Sequence, residues 1–274
     1  MTPLPAEDRI TRQCPEPRRP DLWVGLAESV AGDSDHRPRN AKTAETVALA
    51  IVRDIVAGDM VTGDRLPSES AMLAQYHVSR ASLREGLRLL EVQGLITIRT
   101  GPGGGPAVGT VDPRNLARLS TLYLNLGGAT YGELFRAHLV FEPLVADMAA
   151  QNPDRKLVRD SLSPFLAPEL PLAGDEYRDV TTNFHANVQA LVDNRVVELF
   201  TRVVGHIVLE HVITRMDSSG LRESIHEDHR EIAAAIIAGQ PTKARRLMSA
   251  HFECLWEHYQ SQWPDRFDEF IEWS

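Results

Sequence analysis

The sequence predicts a mainly α-helical protein: an N-terminal winged helix-turn-helix followed by a C-terminal all-helical bundle. Three observations point that way. Hydrophobic residues make up 43% of the 274 but aromatic ones only 6%, so Leu, Val, Ile and Ala must build the core. Runs rich in β-branched and aromatic residues, which strands need, are scarce beyond residue 112. Apolar positions at helical spacing, bounded by capping residues, run from Thr43 onward.

Residues 1–40 are rich in Pro, Arg, Asp and Glu, and Pro15, Pro17 and Pro20 break any helix there. They read as a flexible extension with one short amphipathic piece from Asp21 to Val30. The bland alternative is an overlong start with no role. From Thr43 the pattern changes, and Val47, Ala48, Ile51 and Ile55 fall on one helix face. Gly58 stands just past that helix, where a left-handed cap is expected. Gly63-Asp64 turns the chain into Arg65-Leu66-Pro67. Ser68 is a natural N-cap for a second helix through about Tyr76. Ser79 caps a third through Gln93, stopped by Gly94.

Leu95 to Arg99 and Pro106 to Val108 then flank the loop Thr100–Gly105, which suggests a hairpin wing. A glycine-rich loop can also cradle phosphate. Here a proline and a strand follow it, not a helix, and no Lys-Ser/Thr pair is present. Asp112-Pro113 closes this part. The expected organisation is therefore an extension over 1–40, a winged helix-turn-helix over 41–112 with its helix-turn-helix at about 69–88, and a helical domain over 113–274.

Six or seven helices are expected in that last part. Leu116, Leu119, Leu122 and Leu126 form the stripe of the first, and Leu139, Leu144, Val145, Met148 and Ala149 belong to the second. A proline-punctuated loop runs from Pro164 to Gly174, and further helices cover about 176–193, 195–215, 218–238 and 241–261.

Charge and cysteine content narrow the function classes. A net charge of −9 argues against a protein coated in basic surface, yet only a docking face must be positive to bind DNA. An acidic body also weakens attachment to random DNA, and this disfavours a purely architectural DNA protein. Cys14 and Cys254 cannot build a disulfide framework or a thiolate cluster, which fits a reducing cytoplasm. No run of 18 apolar residues and no secretory h-region is present, so a cytoplasmic protein is expected.

The helix opening at Ser79 carries the chemistry. Its first turn holds Ser79, Arg80, Ala81, Ser82 and Arg84. In a helix-turn-helix that turn reaches base edges. Arg80 and Arg84 lie at i and i+4 on one face, and an arginine fork can bond guanine O6 and N7 together. Leu83, Leu87 and Leu90 lie on the opposite face and should pack inward. The bland alternative, an amphipathic helix with solvated arginines, does not explain the caps, the tight turn and the hairpin together.

Residues 43–111 resemble the winged-helix domain of the GntR family of bacterial transcription regulators. The resemblance rests on Gly63-Asp64-Arg65-Leu66-Pro67-Ser68-Glu69, Val78-Ser79-Arg80, Leu83-Arg84-Glu85 and Gly94-Leu95. It implies contacts to double-stranded DNA from Ser79, Arg80, Ser82 and Arg84, a phosphate contact near Arg65, and wing contacts at Thr100 and Gly101. Ser70 departs from the arginine usual in the family, so the operator should differ there.

Among ten histidines, His229 and His251 lie 22 residues apart, with Gly239-Gln240-Pro241-Thr242 between them. Each is 11 residues from Gln240, so in an antiparallel helix pair both stand about 16 Å from the turn and can face each other. His185, after Phe184, could complete a cluster suited to zinc or a similar divalent metal. Spacing alone leaves open the reading that these are three unrelated histidines.

Residues 114–261 resemble the FCD effector domain of the FadR subfamily, on Phe184-His185 with Asn194, His229-Arg230-Glu231-Ile232 and His251. That resemblance implies a metal held by one aspartate and three histidines. The aspartate position is Thr181 here, and Asp179 is out of phase, so a three-histidine site completed by water or effector is expected. His138 stands where the family often has an effector-binding arginine, and Arg136 lies on a different face. His138 therefore joins the cluster, or the effector is not a small dicarboxylate.

Together these readings predict a homodimeric, ligand-responsive transcription repressor on a near-palindromic operator. Its effector, an organic acid or acyl derivative, would sit in a pocket including His138 and Thr181. The competing reading is a three-histidine metal-dependent hydrolase with an accessory DNA-binding head. Against it, no carboxylate stands in sequence at a convincing general-base position beside the histidines.

Overall fold

The computed structural model describes residues 39–101, 104–167, 175–215 and 219–273. Most of the N-terminal extension, the wing tip at Pro102-Gly103 and most of the proline-punctuated loop lie outside the described residues.

The first three helices are α1 (Arg39–Ala57), α2 (Glu69–Tyr76) and α3 (Arg80–Val92), followed by strands β1 (Ile96–Arg99) and β2 (Gly105–Val108). Both serine caps form. Ser68 Oγ accepts from the Ala71 amide and Ser79 Oγ from the Ser82 amide. Such a cap is worth about 1 kcal/mol. The two strands pair antiparallel with Ile96 opposite Val108 and Arg99 opposite Gly105, giving the expected wing.

The core of this head is Val47, Ala48, Ile51, Leu66, Met72, Leu83, Leu87, Leu90 and Ile96. Gly86 lets α3 approach α1 closely, since a Cβ there would stand 2.9 Å from the Ala44 carbonyl oxygen. The cap after α1 differs from expectation. Asp59, not Gly58, takes the left-handed conformation, with φ of 46°. The Gly58 amide still donates to Asp54 O in helical fashion, so the helix runs one residue further before it turns.

Seven α-helices follow among the described residues: α4 (Pro113–Leu126), α5 (Tyr131–Ala150), α6 (Arg155–Leu162), α7 (Asp175–Ala190), α8 (Arg195–His211), α9 (Arg222–Ile237) and α10 (Pro241–Gln262). Thr130 and Glu133 form a reciprocal capping box that starts α5. α5 is central, packed against α7, α8, α9 and α10. Its Phe135 is fully buried among Phe252, Trp256, Tyr259 and Phe267. Burying one such ring contributes about 1.5–3 kcal/mol. The C-terminal tail straps the start of α5, where Ile271 N donates to Ala129 O and Tyr131 N to Glu269 O.

The leucine stripe expected on α4 packs only in part: Leu116 lies against the core, whereas Leu119 and Leu126 are 49% and 45% exposed. Ala117 and Thr121 are buried instead. These small residues let α4 lie close along α8, with Leu119 and Leu126 left outward. Asp112 and Pro113 at the start of α4 lie with Arg202, Gly205 and His206, whereas Asn125 near its end bonds Ile271 O, next to Glu272, which pairs with Arg215 just after α8. The two helices therefore run parallel. No described helix is long and apolar enough to cross a membrane.

Candidate functional site

Two sites emerge. The first is the exposed side of α3. Arg80 and Arg84 side chains are 70% and 66% exposed, and both reach Glu69, at 3.6 Å and 3.2 Å from its Oε1. Arg84 donates to that carboxylate through both Nε and Nη2. Exposed pairs of this kind contribute little stability. Their effect is to fix both guanidinium groups on one side of the helix.

Ser79 is exposed beside them, but Ser82 is buried and its Oγ lies 2.9 Å from Ser79 Oγ. The structure therefore gives Ser82 to the helix cap and leaves little of it on the exposed side of α3. Arg65, Thr100 and Gly101 are exposed, and Gly101 takes φ of 99° at the root of the wing tip.

The second site is the histidine cluster. His229 and His251 face each other across the α9–α10 hairpin with ring centroids 4.9 Å apart. His185 on α7 lies 4.9 Å from His229 and 5.6 Å from His251. One nitrogen of each ring falls within 4.8 Å of the others. Zinc–nitrogen bonds of about 2.0–2.1 Å place opposite donors at most about 4.2 Å apart, so the rings must close slightly on an ion.

The donor chemistry fits a metal. His229 Nε2 and His251 Nε2 are buried with no hydrogen-bond partner. Buried polar nitrogens without partners are costly, and a cation among them removes that cost. Burial, then the neighbouring histidines, pushes His229 well below its ordinary pKa. Burial also lowers His251, against the pull of Asp228. Both rings are then neutral at pH 7, as a metal requires.

Two carboxylates that sequence reasoning missed orient the rings from behind. Glu142 Oε2 lies 3.0 Å from His185 Nδ1, and Asp228 Oδ2 lies 3.0 Å from His251 Nδ1. Burial alone would raise the Glu142 carboxyl, but His185, His138 and the Gln189 amide hold it at about 2. It is therefore ionised and can only accept, which puts the proton on His185 Nδ1 and leaves Nε2 as the donor. Such carboxylate–histidine pairs are the usual support of a metal ligand. Glu142 had a sequence signal, its place four residues after His138. Asp228 had only its adjacency to His229.

A cavity of about 270 Å³ opens beside the cluster. His138, His185, Gln189 and His251 line one part. Burial takes His138 down to about 4, opposed by Glu142, whose Oε1 lies 4.0 Å from Nδ1, too far for a hydrogen bond. Arg136, which stacks 5.8 Å from the Trp256 ring, is absent from the lining. Thr181 belongs to α7, but its side chain lies outside the described residues. Arg202, unremarked in the sequence, lines the cavity with a buried Nε that has no acceptor. Asp112, Pro113 and Arg114, which connect the wing to α4, line it too.

Comparison with known proteins identifies both parts. Residues 43–104 match the gntR family of bacterial regulatory proteins, and residues 133–253 match the FCD domain. The HTH-type transcriptional regulator Mce2R of Mycobacterium tuberculosis is 30% identical over 213 residues, covering 74% of this chain and 85% of that protein. The Exu regulon transcriptional regulator of Escherichia coli is 25% identical over 226 residues, 76% of this chain and 81% of its own length. In fold, the solved structure of Streptococcus agalactiae GntR aligns with TM-score 0.56 and 22% identity over 78% of this chain and 99% of that one. These matches set the hydrolase alternative aside. The family's winged helix implies DNA as partner, and its FCD domain implies a small-molecule effector. The chain belongs to the GntR family, as a DNA-binding transcription regulator with an FCD effector-binding domain, not an enzyme.

Proposed function

We propose that this protein is a homodimeric repressor of the cytoplasm that releases a near-palindromic operator when an organic acid or acyl derivative enters its helical domain. One observation carries the reading. The connecting residues Asp112, Pro113 and Arg114 line the same cavity as His138, His185 and His251. Asp112 caps α4 and pairs with Arg114 at 2.6 Å, so the start of α4 is built around groups the effector would meet. A ligand preferring one arrangement of those groups also prefers one placement of the DNA heads.

In this reading residues 41–112 form the DNA-binding domain and 113–274 the effector and dimerisation domain. Arg80 and Arg84 read bases, Ser79, Arg65, Thr100 and Gly101 meet the backbone, and Ser82 supports the cap. His185, His229 and His251 hold a divalent metal, zinc or similar, with Glu142 and Asp228 behind them. Bound there, the metal would supply positive charge and an open coordination position to an effector oxygen. Thr181 remains a proposed pocket residue. Leu119, Tyr123 and Leu126 on α4, with Val196 and Phe200 on α8, are exposed. Leu119, Tyr123 and Leu126 share one side of α4 and form an apolar face suited to a second copy.

Gel shift of the purified protein on duplexes from its own upstream region tests the proposal. A shifted complex lost in Arg80→Ala plus Arg84→Ala supports it. A complex that survives the double substitution sinks the assignment of α3.

A further inference from the structure

We infer that the groove between α4 and α8 is a second ligand site, apart from the metal cavity, which takes a phosphorylated sugar or polyol and bears on the end of α3; its effect on DNA rests on the reading of α3 above. Arg114, Asn115 and Arg118 of α4 line one side of the groove, and His206, Glu210 and His211 of α8 the other. Arg114 and His206 also border the metal cavity, but His185, His229 and His251 do not line the groove.

The groups without partners here ask for an anion. Glu210, the acid among the lining residues, is already held by His206, whose Nε2 lies 3.2 Å from its Oε1. Arg114 meets Asp112 through Nε and Nη2, which leaves Nη1 to donate. Arg118 makes no ion pair among the described residues. His211 is 3% exposed, and its Nδ1 has no hydrogen-bond partner. A buried nitrogen left in that state is costly. Two guanidinium groups and an imidazole, approaching from two helices, suit the several oxygens of a phosphate monoester.

Further along the groove the ligand must carry hydroxyl groups. Thr121 Oγ1 donates to Ala117 O, and Thr214 Oγ1 donates to Glu210 O. Both threonines line the groove, and with their protons spent their oxygens can still accept from a ligand hydroxyl. Arg114 and Thr121 stand seven residues apart, about 10 Å along the helix, so one phosphorylated polyol reaches both. Every side chain lining the groove is polar, which leaves a fatty chain nothing to pack against.

The same turn of α4 touches the head. Gly94, just past α3, lies so close to Asn115 that a Cβ there would stand 2.0 Å from Asn115 Nδ2. Gly109 is as tight, since its Cβ would stand 2.5 Å from Gly94 O. No side chain separates the first turn of α4 from the end of α3. A ligand that draws Asn115 and Arg118 toward itself therefore moves this contact, and favours one placement of the head.

The test is isothermal titration of the full-length protein, with and without one equivalent of zinc. The ligands are glucose 6-phosphate, ribose 5-phosphate, glycerol 3-phosphate, inorganic phosphate, glucose and octanoate. At least one of the three esters should bind about tenfold more tightly than inorganic phosphate, glucose or octanoate, and zinc should make no difference. Arg118→Ala, at an exposed position, should weaken that ester about tenfold, as the loss of a charged hydrogen bond dictates. Thr121→Val should weaken the ester and leave inorganic phosphate unchanged. Arg202→Ala, in the metal cavity, should leave both unchanged. Fluorescence anisotropy on the upstream duplex should show DNA affinity moved at least threefold by the ester in the wild type, and unmoved in Arg118→Ala.

Esters that bind no more tightly than inorganic phosphate overturn the inference, and so does ester binding that survives Arg118→Ala. DNA affinity unmoved by an ester that binds overturns the link through Asn115. A protein that binds the ester but not the duplex keeps the site and rejects the regulatory reading.

Discussion

Glu142 Oε2 lies 3.0 Å from His185 Nδ1, and the carboxylate that fixes this ring is itself fully buried. Its charge makes His185 present Nε2 to His229 and His251. Glu142→Gln keeps the shape and removes the charge, so the tautomer is no longer dictated. Zinc affinity should fall about 10- to 100-fold, the usual effect of losing such a partner. Competition against a chromogenic chelator measures it, with a thermal melt to show the fold is kept. Equal zinc affinity in the variant and wild type would remove Glu142 from the site.

Recognition should depend on Arg84 and Arg80 in a sequence-selective way. Removing either guanidinium should cost about 1–3 kcal/mol on the operator and far less on random duplex. Glu69→Ala frees both side chains and should weaken operator binding less than either arginine change. Fluorescence anisotropy at fixed salt checks the order. An equal loss on both kinds of DNA would mean that the arginines contact only phosphate.

Acid should destabilise the helical domain in two stages. The unfolded chain binds the His138 proton with the ordinary pKa of 6.5 and the folded chain at about 4. Its contribution is therefore complete above pH 6.5 and lost as pH falls to 4, on the order of 3 kcal/mol. Glu142, held at about 2 against an ordinary 4.5, adds a second loss between pH 4.5 and 2. Urea unfolding of chelator-treated protein at pH 7, 5.5 and 4 should show the first stage. His138→Phe should make it shallower, the rest being left to His229 and His251, which burial also lowers, and a slope unchanged in that variant would contradict the assignment.

The apolar face on α4 should govern self-association. Leu119→Asp with Tyr123→Asp places charges in it without touching the core, since both side chains are exposed. Sedimentation should show a dimer becoming a monomer, and operator binding should weaken by at least tenfold as the second half-site is lost. A variant that sediments unchanged would locate the contact elsewhere.

Local rules made much of this molecule legible in its sequence. Ser68 and Ser79 cap their helices because a hydroxyl oxygen one position before a helix meets a free amide. Leu83, Leu87 and Leu90 are buried as their spacing requires. His229 and His251 meet because equal arms of one hairpin bring equal heights together. Gly58 shows the limit of such rules, since the left-handed turn falls one residue later, on Asp59.

By itself, then, the sequence determined the caps, the third helix and the wing, and allowed the two hairpin histidines to meet, each an interaction between near neighbours along the chain. Tertiary structure alone decided which side of α4 packs, that Glu142 of α5 supports His185 of α7, and that Arg202 of α8 joins the cavity. These contacts join helices far apart in the chain, and no residue spacing records which faces will meet. They follow from how close small residues such as Ala117 and Gly205 let the helices come, and that distance is fixed only when the whole bundle has packed.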